Sequence, residues 1–136
     1  MNFDTKIAIL VLDDLAVWQK LNVAAFLASG IAAAVPEAMG EPYEDGAGRR
    51  YARMLGQPVL VFAGPAEVLQ RAHRQALDRN LTCAAYVRAM FSTGHDAANR
   101  AVFKAAPADA PDLVGLALHG ARKDVDKATK GAVLHP

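Results

Sequence analysis

Residues 112–134, DLVGLALHGARKDVDKATKGAVL, decide how this chain is read. They predict a buried strand at 113–118, a glycine turn at His119–Gly120, a charged helix from about Arg122 to Thr129, and a short strand near Val133. The opening stretch, TKIAILVLDDLAVWQKLNVAAFLASGIAAAV, answers it: a strand, an acidic turn, one lysine, then an apolar helix. Residues 6–12, KIAILVL, are a short, branched, continuously apolar run, which suits a central strand covered on both faces. The helix from about Val17 to Val35 is apolar nearly all round, so it is expected to be covered on most sides. Pro36 ends it.

Between these ends, residues 58–63, PVLVFA, predict a second strand with proline at its first position. Gly64–Pro65 starts a helix to about Arg79, and Asn80 stops it. Residues 82–89, TCAAYVRA, predict a third strand, with Cys83 as a small core residue. Thr93 is expected to cap the next helix, with Asp96 three residues on completing a capping box. Residues 36–50, PEAMGEPYEDGAGRR, are the least regular part and predict a mobile loop. Strands alternating with helices argue an α/β sandwich around one mixed sheet.

The bulk properties narrow the function. At 136 residues the chain, 1–136, reads as a single domain. Hydrophobic residues make up 53% and charged residues 21%, which excludes a disordered protein. A net charge of +1 supplies no strong pull toward nucleic acid or an acidic membrane. One cysteine closes no intrachain disulfide. MNFDTKIAILVLDD has no basic segment before its apolar run, and 21–35 is too short to span a bilayer. A soluble cytoplasmic protein, with no membrane partner, is expected. His73 and His135 have no metal-ligand spacing to other histidines or to Cys83, so no metal is assigned. No phosphate-binding GxxxxGK[ST] or GxGxxG pattern occurs, and no cofactor is expected.

Two ends carry a resemblance. KIAILVLDDLAVWQKLNVAAFLASG resembles the start of the type II peptidyl-tRNA hydrolases, and HGARKDVDKATKGAVL resembles their closing glycine turn and helix. A closer resemblance is to an uncharacterised bacterial family of the same clan, domain of unknown function two-thousand. The resemblance implies a three-layer α/β/α sandwich, peptidyl-tRNA hydrolase II-like, commonly a homodimer. It places Lys20 at the hydrolase lysine. Ala24 and Leu27 stand where the hydrolases have a glutamine and a histidine, and Arg88, Ala89 and Met90 surround their aspartate position. These departures predict no peptidyl-tRNA hydrolysis.

The candidate ligand site joins the two strand-to-helix turns. Asp13 and Asp14 end the first strand, either as helix caps or as ligands. Lys20 offers a cation beside free helix N–H groups, suited to a phosphate or carboxylate. Asn22 is a polar group on an apolar helix and should need a partner. His119 and Gly120 combine an acid–base group with close backbone approach, and Lys123 adds charge. If the first and fourth long strands run parallel, both turns share one edge of the sheet, where ligands of α/β sheets gather. The leading expectation is a protein that binds an anionic small molecule, or an enzyme of unassigned reaction. The alternatives are a hydrolase acting on an RNA-linked substrate and a dimeric interaction module without catalysis. For the first alternative, Arg49, Arg50 and Arg53 are candidate contacts to RNA or a subunit.

Overall fold

The computed structural model describes residues 3–136. In chain order the elements are β1 (Thr5–Leu12), α1 (Val17–Ala34), a 3-10 turn (Pro36–Ala38), β2 (Tyr43–Glu44), β3 (Arg50–Tyr51), β4 (Val59–Gly64) and α2 (Ala66–Asp78). Then come β5 (Thr82–Val87), a 3-10 helix (Arg88–Ser92), α3 (Asp96–Ala105), β6 (Leu113–Ala121), α4 (Arg122–Ala128) and β7 (Val133–Leu134). Five strands form one mixed sheet in the order β5-β6-β1-β4-β7. β1 and β4 are parallel, and every other neighbouring pair is antiparallel.

The register assigns the layers. Residues directly opposite each other in a sheet share a face. Gly115 of β6 lies opposite Val11, and a Cβ on it would stand 2.3 Å from Val23 Cγ1 of α1. The odd-numbered residues of β1 and β6 therefore face α1. Lys6, an even position, reaches the other way, and its Nζ sits 2.5 Å from Asp126 Oδ1 of α4. Helix α2 packs on that second face too, with Val68 Cγ1 3.2 Å from where Gly64 would carry a Cβ. Helices thus cover both faces, and Ile7–Leu12 are buried between them as the apolar run implies. The sandwich has three layers.

Three local expectations are corrected. Helix α1 is not covered on most sides. Val23, Leu27 and Ile31, spaced four apart, are its buried residues, while Val17, Trp18, Leu21 and Phe26 are 54–73% exposed. Hydropathy showed that α1 is apolar, but this chain supplies only one surface to bury it against. Residues 36–50, expected to be the least regular part, hold most of a short hairpin, in which β2 and β3 pair and Asp45 closes the turn. The Asp45 carboxylate accepts from the Ala47 and Arg49 backbone N–H groups, Arg49 Nε and the Tyr51 hydroxyl at 2.8–3.0 Å. These bonds, the Arg49 N–H foremost, hold its carboxyl below the usual carboxylate range. The cap of α3 is His95, not Thr93. His95 Nδ1 accepts the Ala98 N–H at 3.2 Å. Thr93 instead closes the preceding 3-10 helix, its hydroxyl 2.9 Å from the Met90 carbonyl.

Candidate functional site

The two turns named from sequence do not meet. Strand β6 runs on to Ala121, so His119 and Gly120 are strand residues opposite Ile7 and Lys6. Because β6 is antiparallel to β1, these positions lie at the start of β1. Asp13 and Asp14 follow its end, six residues from Ile7, or roughly 20 Å at the rise of a strand. Lys123 lies farther out still, in the first turn of α4. The expected shared site is therefore wrong, for strand direction cannot be read from the hydropathy of either strand. Gly120 has a packing reason as well: a Cβ there would fall 2.4 Å from Leu81 Cδ2.

The other candidates are placed as follows. Asp13 and Asp14 are exposed, and the Asp13 N–H continues the ladder to the Gly64 carbonyl at 3.0 Å. Lys20 Nζ lies 3.3 Å from His135 Nε2. Arg49 pairs with Asp45, Arg50 with Glu44 at 3.9 Å, and Arg53 donates to the Gly40 carbonyl, so all three serve the hairpin region. Asn22 is exposed rather than buried, and it lines a recess of about 280 Å³. That recess adjoins the main feature of the molecule.

A cleft of about 880 Å³ opens beside β5, the terminal strand of the sheet. This is the size range of small-molecule sites. Residues 83–86 of β5 form one wall. Phe26 and Leu27 of α1 line it from one face of the sheet, and His73 and Leu77 of α2 from the other. Across from the strand stand Asn99, Arg100, Phe103 and Lys104 of α3 and the Ala106–Ala108 segment. The walls are mostly apolar. Phe26, Tyr86, Met90, Asp96 and Asn99 line both the cleft and the smaller recess, so the two spaces form one depression.

An aromatic row stiffens the wall. Trp18 meets Phe91 edge-on at 5.9 Å between ring centroids, Phe91 meets Tyr86 at 5.3 Å, and Tyr86 meets Phe26 at 6.0 Å. Such pairs add about 0.5–1.5 kcal/mol each beyond their burial. The alternation of β5 selects these residues: Tyr86, opposite Gly115, turns toward α1, while Cys83 and Ala85 turn toward α2.

Tyr86, His73 and Cys83 line this space without an ion-pair partner among the described residues. Tyr86 is 6% exposed, and its hydroxyl has no hydrogen-bond partner among the described residues. Burial raises its pKa, so it is a neutral donor. His73 is 8% exposed, and its Nδ1 is sealed from solvent without a partner. Burial first, and the Arg74 charge second, lower its pKa, which favours neutral imidazole. Cys83 is exposed along the strand edge, not a core residue as expected. The surrounding apolar mass still pushes its thiol up to about 11. Among the described residues no cluster of three metal-ligating side chains occurs. Nor is any helix long and apolar enough to cross a membrane.

This cleft was missed from sequence because its lining is scattered over α1, α2, β5, a 3-10 helix, α3 and the loop that follows it. Alternation in TCAAYV was the only usable signal, since it sets Tyr86 on the same face as the α1 aromatics.

The comparisons place the fold in a family. The family described as protein of unknown function (DUF2000) matches residues 5–136, and this chain belongs to it. A solved structure of a protein of unknown function from Agrobacterium tumefaciens is 54% identical, with a TM-score of 0.94. The alignment covers 99% of this chain and 100% of that one. No curated protein matches the chain.

Proposed function

We propose that this protein binds a small organic molecule with an apolar body in the cleft between β5 and α3. One observation carries the reading. Tyr86, more than nine-tenths buried, brings a hydroxyl without a protein partner to the wall of a mostly apolar cleft, and His73 lines the same space. Buried polar groups are normally paired, and a ligand would pair this hydroxyl. Lys104 also lines the cleft and has no carboxylate partner among the described residues, whereas Arg100 is held by Asp96. An anionic group on the ligand fits beside it.

Binding is favoured over nucleophilic catalysis. A reactive cysteine needs a lowered pKa and a base at hydrogen-bond distance. Cys83 is shifted the other way, and the neighbouring His73 Nδ1 has no hydrogen-bond partner. Peptidyl-tRNA hydrolysis finds no support either, since Leu27, at the position of the hydrolase histidine, is a core residue at 2% exposure. The test is an NMR titration with medium-chain carboxylic acids and N-acyl amino acids. Shifts concentrated at Tyr86, Leu77 and Phe103 are expected. Shifts absent there, or gathered around His119 and Lys123, would overturn the reading.

The exposed face of α1 supports a second element, a homodimer. Val17, Trp18, Leu21 and Phe26 form an apolar surface on a helix whose one charge is Lys20. Surfaces of this kind mark association sites. Trp18 and Phe26 also line the recess, so pairing through α1 would bring the partner copy to its rim.

A further inference from the structure

We infer that the ligand of this cleft carries a peptide-like segment that adds to the free edge of β5 as a sixth strand. The inference rests on the cleft being a binding site and goes on to name the ligand's chemistry. It begins with one hydrogen bond. The Arg122 N–H donates to the Asp4 carbonyl at 2.9 Å, one step beyond the Thr5–Ala121 pair. Bonded and non-bonded pairs alternate along an antiparallel ladder. The bonded pairs of β1 with β6 are therefore Lys6–Gly120, Ala8–Leu118 and Leu10–Leu116. Gly115, Ala117 and His119 turn their backbone groups the other way, onto Tyr86, Ala84 and Thr82 of β5. The N–H and C=O groups of Cys83 and Ala85 are left pointing off the sheet.

That edge is bare and faces the cleft. Cys83 and Ala85 make no backbone hydrogen bond outside the sheet ladder among the described residues, and both line the cleft. Proteins usually blunt such an edge with charge, proline or a covering element. TCAAYV has neither charge nor proline. The facing wall, Phe103 and Pro107, stands across an open space instead of pairing with the strand. Two outward N–H groups and two outward C=O groups match an extended peptide, which gains affinity from the main chain and specificity from pockets on either side. The apolar walls suit apolar side chains. The cations Arg100 and Lys104 outnumber the one lining carboxylate, Asp96, which suits a free carboxyl end. The far wall obstructs edge-to-edge pairing with another sheet, so the occupant is a short peptide and not a second copy of this chain.

Isothermal titration of the full chain decides the matter with three probes. They are an N-acetyl tripeptide of leucine and alanine with a free carboxylate, the same peptide N-methylated along its backbone, and a fatty acid of similar length. The parent peptide should bind, with the Cys83 and Ala85 amide resonances moving. N-methylation should weaken it by about tenfold, as expected for losing two ordinary hydrogen bonds. Ala85→Pro removes one outward N–H at an edge position that tolerates proline. It should lose most of the peptide affinity and keep that for the fatty acid. Equal binding of parent and N-methylated peptide, or a fatty acid bound more tightly than either, would overturn strand addition while leaving the cleft a ligand site. No binding of any probe would sink both readings. If Ala85→Pro fails to fold, the comparison of the two peptides still decides.

Discussion

The rings of Phe26 and Tyr86 stand 6.0 Å apart, and through them α1 is tied to the strand at the free edge of the sheet. The contact closes a row that continues through Phe91 to Trp18. One wall of the cleft is therefore built from ring packing that needs no ligand to form it. The row leaves the Tyr86 hydroxyl without a protein partner among the described residues.

Removing only that hydroxyl separates binding from packing. Tyr86→Phe keeps the ring contacts and deletes an oxygen with no protein partner. Stability should change by less than about 1 kcal/mol, since no intramolecular hydrogen bond is lost. Ligand affinity should fall by about three- to tenfold. Chemical denaturation and titration on the same sample check both parts. A large loss of stability would show that the hydroxyl serves the fold instead.

His73 should make stability depend on pH between neutrality and mild acid. Its folded pKa is lowered from 6.5 by burial, with Arg74 adding to the effect. The unfolded chain takes up this proton more readily, so stability is complete above about 6.5 and is lost as pH falls below it. Asp45 acts in a separate window: its lowered pKa stabilises the fold above 3.8, and this is lost only as pH falls further. Urea unfolding at pH 7.5, 6.5 and 5.5 should show a decline that His73→Leu flattens. An identical decline in both proteins would refute the assignment.

The framework was readable because it rests on simple patterns. KIAILVL could only be buried on both faces, Pro36 had to end α1, and Gly64–Pro65 had to open α2. The errors also have physical causes. His119–Gly120 looked like a turn, yet β6 continues through it, because a glycine in a strand also serves close packing, here against Leu81. Whether β6 runs with or against β1 depends on connections, not on its own composition. The cleft was illegible because Ala84, Ala85 and Pro107 are unremarkable residues until the fold sets them around a space.

Cys83 offers a direct probe of cleft occupancy. With its thiol pushed up to about 11, little thiolate exists at neutral pH despite the exposure of the residue. Alkylation by iodoacetamide at pH 7.5 should be at least about tenfold slower than that of free cysteine, because the thiolate is the reactive form. A bound ligand should slow it further. Fast labelling that ligand leaves unaffected would place the thiol outside the site.

Gly115 sets how closely α1 lies on the sheet. A Cβ there would stand 2.3 Å from Val23 Cγ1 and 2.9 Å from Leu27 Cδ1. Both of those residues are buried and have no room to yield. Gly115→Ala should cost about 1–3 kcal/mol, the usual range for overpacking a core. Gly46→Ala, where a Cβ meets nothing within 4 Å, should change stability by no more than about 0.5 kcal/mol. Equal effects at the two positions would mean that α1 is free to move off the sheet.

The outer face of α1 should hold two copies together. Val17 and Leu21 lie four residues apart and so share one face of the helix, with Trp18 beside them. They are 73%, 68% and 62% exposed, a large apolar area to leave in water. A two-fold contact uses the same patch on both chains, so one substitution acts twice. Leu21→Glu would then bury two carboxylates against apolar surface, which is strongly unfavourable. Light scattering should give about twice 14.4 kDa for the native chain and about 14.4 kDa for the variant. The variant should keep its fold, because Leu21 faces away from the Val23, Leu27 and Ile31 stripe that meets the sheet. A native chain that stays monomeric at concentrations on the order of 100 μM, well above the dissociation constants of stable complexes, would refute pairing through α1.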